Sequence, residues 1–121
     1  MNLDFAKLEK VTMYDKAFAY ELLGMYIGEL KEYLQQIKAI VYARDLKNYR
    51  FLNHKIRSML NTLEAEFLLS AQVNLQNLLL KEASAEELQT SLENLMELGE
   101  HLSNLLETRR QYYAGLIDQP A

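Results

Sequence analysis

Cysteine is missing from all 121 residues. The chain can therefore form no disulfide framework, no thiolate zinc site and no cysteine nucleophile, and it fits a reducing compartment better than a secreted one. Proline occurs once and glycine four times, which leaves few turn formers for the many short strands of a sandwich or barrel. No apolar run approaches the roughly 18 residues of a membrane span. The opening MNLDFAKLEK lacks the basic segment followed by an apolar one that marks an export signal. These absences lead to the expectation of a cytoplasmic, helical, single-domain protein (residues 1–121) without membrane insertion.

Half of the residues are apolar and a quarter charged. A chain of this length buries roughly two-thirds of its unfolded surface, enough for a core of its own. The net charge of −4 argues against a general nucleic-acid binder. It is unevenly spread, however. Five cations (Arg44, Lys47, Arg50, Lys55, Arg57) stand against Asp45 between residues 44 and 57, so this stretch carries +4 and the remainder −8. One basic stretch in an acidic protein implies a local partner for negative charge.

Helical periodicity dominates the rest. Ala19, Leu23, Tyr26, Leu30, Tyr33, Ile37 and Ile40 recur at spacings of three and four, the stripe of a core-facing helix, with Thr12 and Asp15 as a capping pair at its start. Gly24 and Gly28 inside it are candidates for close helix contact. A second helix opens at Asp45 and carries Tyr49, Leu52, Ile56, Leu60 and Leu63 on one stripe. The third run is FLLSAQVNLQNLLLK. Ser84 and Glu87 then form a capping box ahead of Leu88, Leu92, Leu95, Gly99, Leu102 and Leu106, a bundle seam that fades near Leu116. The expected fold is all-α: an up-down antiparallel four-helix bundle with a short extra N-terminal helix around LDFAKLEK, a core over about 14–116 and a tail at 117–121. Residues 64–66, EAE, carry no Gly or Pro, so one unbroken helix from residue 46 to about 82 is the competing arrangement.

The two histidines differ in their helical company. With about 100° per residue and Tyr49 as origin, the second helix's stripe centres at about 340° and His54 falls at about 140°, facing solvent. Lys47, Arg50, Arg57, Ser58 and Asn61 share its sector, and Phe51 also turns away from the core. His101 points away from its own seam too, but beside Glu97 and Glu100, which would repel an added phosphoryl group. At His54 such a group, carrying nearly two negative charges, would meet guanidinium donors. The same pattern also fits a solvated helix face with no chemistry of its own.

The stretch HKIRSMLNTLE resembles the histidine-containing phosphotransfer (HPt) domain of two-component phosphorelays, whose motif runs approximately His-x-Leu-Lys-Gly-Ser with a further Leu and Gly downstream. His54 falls on the phosphoacceptor, Ile56 on the Leu, Arg57 on the Lys, Ser58 on the Gly, Met59 on the Ser and Leu63 on the downstream Leu, while Glu64 replaces the second Gly. FAYELLGMYIGELKEYLQQIKAIVYARDLKNYRFLNH is similar to the family's long helix, its short turn and the helix leading to the histidine; the likeness covers residues 15 to about 110. It implies a phosphoryl carrier that is not an enzyme and needs no cofactor of its own. In that role His54 takes the phosphoryl group from a receiver-domain aspartate, Arg57 and Arg50 stabilise its charge, Lys47 steers, and Phe51, Ser58 and Asn61 form the docking surface. The implied partners are a response-regulator receiver domain, which supplies the acidic pocket and Mg²⁺, and a hybrid sensor histidine kinase, with the carrier itself a monomer. The alternatives are a non-phosphorylated helical-bundle adaptor, a di-metal carboxylate bundle, which lacks its Glu-x-x-His pairs here, and a nucleic-acid binder, for which one basic stretch with a single exposed aromatic is a poor platform.

Overall fold

The computed structural model describes residues 2–117, and among these it is all-helical. Five helices follow one another: α1 Ala6–Val11, α2 Lys16–Tyr42, α3 Leu46–Leu63, α4 Glu66–Leu80 and α5 Ala85–Ile117. α2 packs against α3 and α5, α4 packs against the same two, and α1 lies across α2 and α3. Buried side chains from all five helices form one apolar cluster. No helix is long and apolar enough to cross a membrane. Of the tail expected at 117–121, Ile117 is still helical, and 118–121 lie outside the described residues.

Three helix starts, those of α2, α3 and α5, use a side-chain oxygen to satisfy an amide that the helix leaves open. Asp15 caps α2 by accepting from the Phe18 amide at 3.1 Å, and Asp45 caps α3 by accepting from the Asn48 amide at 3.1 Å. Ser84 Oγ accepts from the Glu87 amide at 3.2 Å, the contact expected of the capping box. Thr12 does not cap α2. It ends α1, buried, with its hydroxyl donating to the carbonyls of Leu8 and Glu9 at 3.0 and 3.2 Å, so the true cap sits three residues later.

The helix ends explain why so little glycine suffices. Arg44, Glu64 and Glu82 take left-handed φ values of 53°, 56° and 53°. Each is followed by an amide that reaches back five residues: Asp45 to Ile40, Ala65 to Leu60 and Ala83 to Leu78, at 3.0–3.1 Å. This closure usually recruits glycine, and a residue with a side chain adopts it at a cost of roughly 1–2 kcal/mol. At Glu64 it breaks the chain between α3 and α4, which overturns the single helix from 46 to about 82.

The stripes hold with one drift. α3 buries Tyr49, Leu52, Ile56, Leu60 and Leu63, and α5 buries its whole expected seam from Leu88 to Leu106. In α2 Ala19, Leu23, Leu30, Tyr33 and Ile37 are buried as expected, but Ile27 and Val41 are buried in place of Tyr26 and Ile40, which are half-buried. Strict alternation of three and four drifts off the 3.6-residue turn of a straight helix. A Cβ added at Gly28 would meet nothing within 4 Å, and one at Gly24 would come nearest to the flexible end of Arg110. The glycine that permits close approach is Gly99 of α5, where a Cβ would lie 2.6 Å from Leu34 Cδ2 of α2.

Candidate functional site

α3 presents its face according to its own stripe. Tyr49, Leu52, Asn53 and Ile56 turn inward, which leaves Lys47, Arg50, Phe51, His54, Arg57, Ser58 and Asn61 exposed, as expected. His54, Lys47, Arg50, Phe51 and Arg57 line one open depression together with Leu46 and Asn48, and Gln76 of α4 forms its far wall. Three cations and no anion line it. Ser58 and Asn61 lie exposed on α3 but outside the depression.

The basic stretch divides on folding. Arg44 donates to the Ala83 carbonyl at 2.7 Å and so clasps the α4–α5 connection. Lys55 leans over the Phe51 ring, 5.4 Å from its centroid, and borders a separate groove with Glu29 and Glu32 of α2. Phe51 itself is 59% exposed.

Gln76 escaped the sequence reading. Its own helix gives only a half-buried polar position between Leu75 and Leu79, and nothing local says that this position faces α3. His101 differs from expectation. It is half-buried, and its ring packs edge-to-face on Phe67 of α4 at 5.9 Å, so it belongs to the α4–α5 contact. Behind the depression, burial pushes the Tyr49 phenol up to about 12 and raises that of Tyr33 as well, so both hydroxyls remain protonated donors near neutral pH. Among the described residues, no group of three or more His, Asp or Glu side chains is arranged to hold a metal ion.

The remote end of the bundle is occupied by structure. Arg109 of α5 pairs with Glu9 of α1 and is flanked by the rings of Phe5, Tyr112 and Tyr113, which fastens the short helix to the long one. Compared with known proteins, the chain matches no family model, no curated protein and no solved structure.

Proposed function

We propose that the protein is a histidine phosphotransfer carrier built on an up-down four-helix bundle, with His54 as phosphoacceptor. The observation that carries this is a solvent-exposed imidazole in an open depression lined by three cations and no anion. The neighbour relations of α2 to α5 and the short connections between them support the up-down order. Support also comes from Glu64: the position matching the family's second glycine adopts the left-handed conformation that glycine takes most readily.

The chemistry is one exchange of bonds. The free electron pair of an imidazole nitrogen attacks the phosphorus of an aspartyl phosphate on a receiver domain, a P–N bond forms, the P–O bond breaks, and aspartate leaves as carboxylate. Reversal onto a second receiver completes the relay. Arg57 and Arg50 offer guanidinium donors to the transferred oxygens, and Lys47 adds positive potential at the mouth. Phe51, Ser58 and Asn61 meet the partner, which brings the acidic pocket and its divalent ion. Little chemistry resides in the carrier itself, which supplies a placed nucleophile.

The test is transfer of radiolabel from a phosphorylated receiver to the purified protein, with acid-labile, base-stable label as the signature of phosphohistidine. His54→Gln should abolish it. Arg57→Gln should slow it by about ten- to a hundredfold if its charged hydrogen bond, worth roughly 1.5–3 kcal/mol, is expressed in the transition state. Transfer that survives His54→Gln refutes the assignment. A protein that takes no label yet binds a receiver is the adaptor instead.

A further inference from the structure

Among the described residues, the buried polar side chains outside the phenols are Thr12, Asn53 and Gln72. Asn53 and Gln72 belong to one connected path of hydrogen bonds through an otherwise apolar core. The Tyr33 hydroxyl of α2 donates to Asn53 Oδ1 of α3 at 2.7 Å and accepts from Gln72 Nε2 of α4 at 3.1 Å. The Tyr49 hydroxyl of α3 donates to the main-chain carbonyl of Gln72 at 2.5 Å. Three helices are thus tied at one level, by groups that are at most 6% exposed.

Stability gives weak reason for this path. A buried polar network that is fully satisfied is often matched or exceeded in stability by apolar side chains of similar volume. What it adds is geometry, because hydrogen bonds restrict distance and angle where apolar contacts allow sliding and rotation. Its position is informative. Tyr49 and Asn53 immediately precede Arg50 and His54 on α3, and Gln72 stands one turn before Gln76 on α4. The path therefore grips both walls of the depression from behind.

We infer that Tyr33, Asn53 and Gln72, with Tyr49, are positioning residues that fix the rotation of α3 against α4 and so hold His54, Arg50 and Gln76 around one depression; this rests on the carrier reading above. For a helix about 5–6 Å in outer radius, a 20° rotation carries an outward side chain about 2 Å along the surface. Misplacement of a reacting group by about 1 Å can cost a hundredfold in rate. An apolar core alone would leave such a rotation weakly opposed.

The experiment uses the full chain carrying Tyr33→Phe, Asn53→Leu and Gln72→Leu together, which removes every side-chain link of the path but leaves the main-chain acceptor of Tyr49. Transfer is measured from a phosphorylated receiver and, separately, from phosphoramidate, a small donor that needs no docking. Amide spectra report whether α3 and α4 keep one arrangement. The expected result is a melting temperature equal to or above that of the parent, unchanged labelling by phosphoramidate, receiver transfer reduced about ten- to a hundredfold, and doubled or broadened amide signals along α3 and α4. If the triple variant does not fold, Tyr33→Phe alone, which deletes one oxygen and lowers the melting temperature by taking a partner from Asn53 Oδ1 and Gln72 Nε2, is judged by receiver transfer and amide signals per folded molecule. Receiver transfer at the parental rate with a single set of signals overturns the inference, as does a loss that only follows the unfolded fraction. Should the parent itself take label from neither donor, the carrier reading fails, and the amide spectra alone then decide the positioning role: doubling upholds it and a single set overturns it.

Discussion

Two glycines on facing helices should respond to the same substitution with opposite signs. At Gly28 an added Cβ meets nothing within 4 Å, so Gly28→Ala gains only the helix preference of alanine, about 0.8–1.0 kcal/mol. At Gly99 the new Cβ would lie 2.6 Å from Leu34 Cδ2, 3.2 Å from Cδ1 and 3.4 Å from Cγ. Carbon atoms are comfortable at about 3.5–4.0 Å, and all three close atoms belong to one branched end, so turning one methyl away swings the other in. Overpacking of this kind costs roughly 1–3 kcal/mol, which outweighs the same gain in helix preference and leaves Gly99→Ala about 1 kcal/mol less stable than the parent. Urea unfolding followed by circular dichroism at 222 nm reads both variants on one scale, with an expected separation of about 2 kcal/mol and a fall in melting temperature of about 4 °C for Gly99→Ala. Leu34→Ala placed in the Gly99→Ala background should recover part of the loss as a favourable coupling. If Gly99→Ala stabilises as much as Gly28→Ala, the α2–α5 contact yields freely and the close approach has no energetic weight.

Alkaline pH should unfold the protein through its buried phenols. Burial raises Tyr49 from 10.0 to about 12, so the folded state holds a proton that the unfolded state releases; stability is complete below pH 10 and falls as pH rises toward 12. The slope is about 1.4 kcal/mol per pH unit for one such group, or roughly 2–3 kcal/mol over the window. Urea midpoints at pH 9 and pH 11.5 that coincide would contradict it. Asp45→Ala should cost about 1 kcal/mol, because its carboxylate accepts from both the amide and the side chain of Asn48, at 3.1 and 2.6 Å. Asp45→Asn should restore most of that loss, and an unchanged urea midpoint in the alanine variant would show that the cap is idle.

Much of the α3 face was legible because rotation about a helix axis is a local property. The buried Tyr49, Leu52 and Ile56 fix where the outward side lies, and His54, Arg50 and Arg57 follow from their spacing alone. The turn between α3 and α4 was illegible for a local reason of another kind. Glu64 gives no sign in its residue type that it will adopt a left-handed φ; the bond from the Ala65 amide to the Leu60 carbonyl and the burial of Ala65 and Leu68 in the core, both set by packing, offset that strain. His101 misled because the outward side of the α5 seam is not all solvent: α4 passes there and brings Phe67 against the ring.

The sequence by itself determined the helical class, the caps at Asp45 and Ser84, the seam of α5 and an imidazole turned outward among cations, since each depends on residues within a turn or two of one another. Only the tertiary structure decided that Gln76 closes the depression, that Arg44 is spent on the Ala83 carbonyl, that Gly99 receives Leu34, and that Tyr33, Asn53 and Gln72 meet. Those pairings join residues far apart in the chain. Helical spacing sets which way a side chain points, but the packing of whole helices sets what it points at.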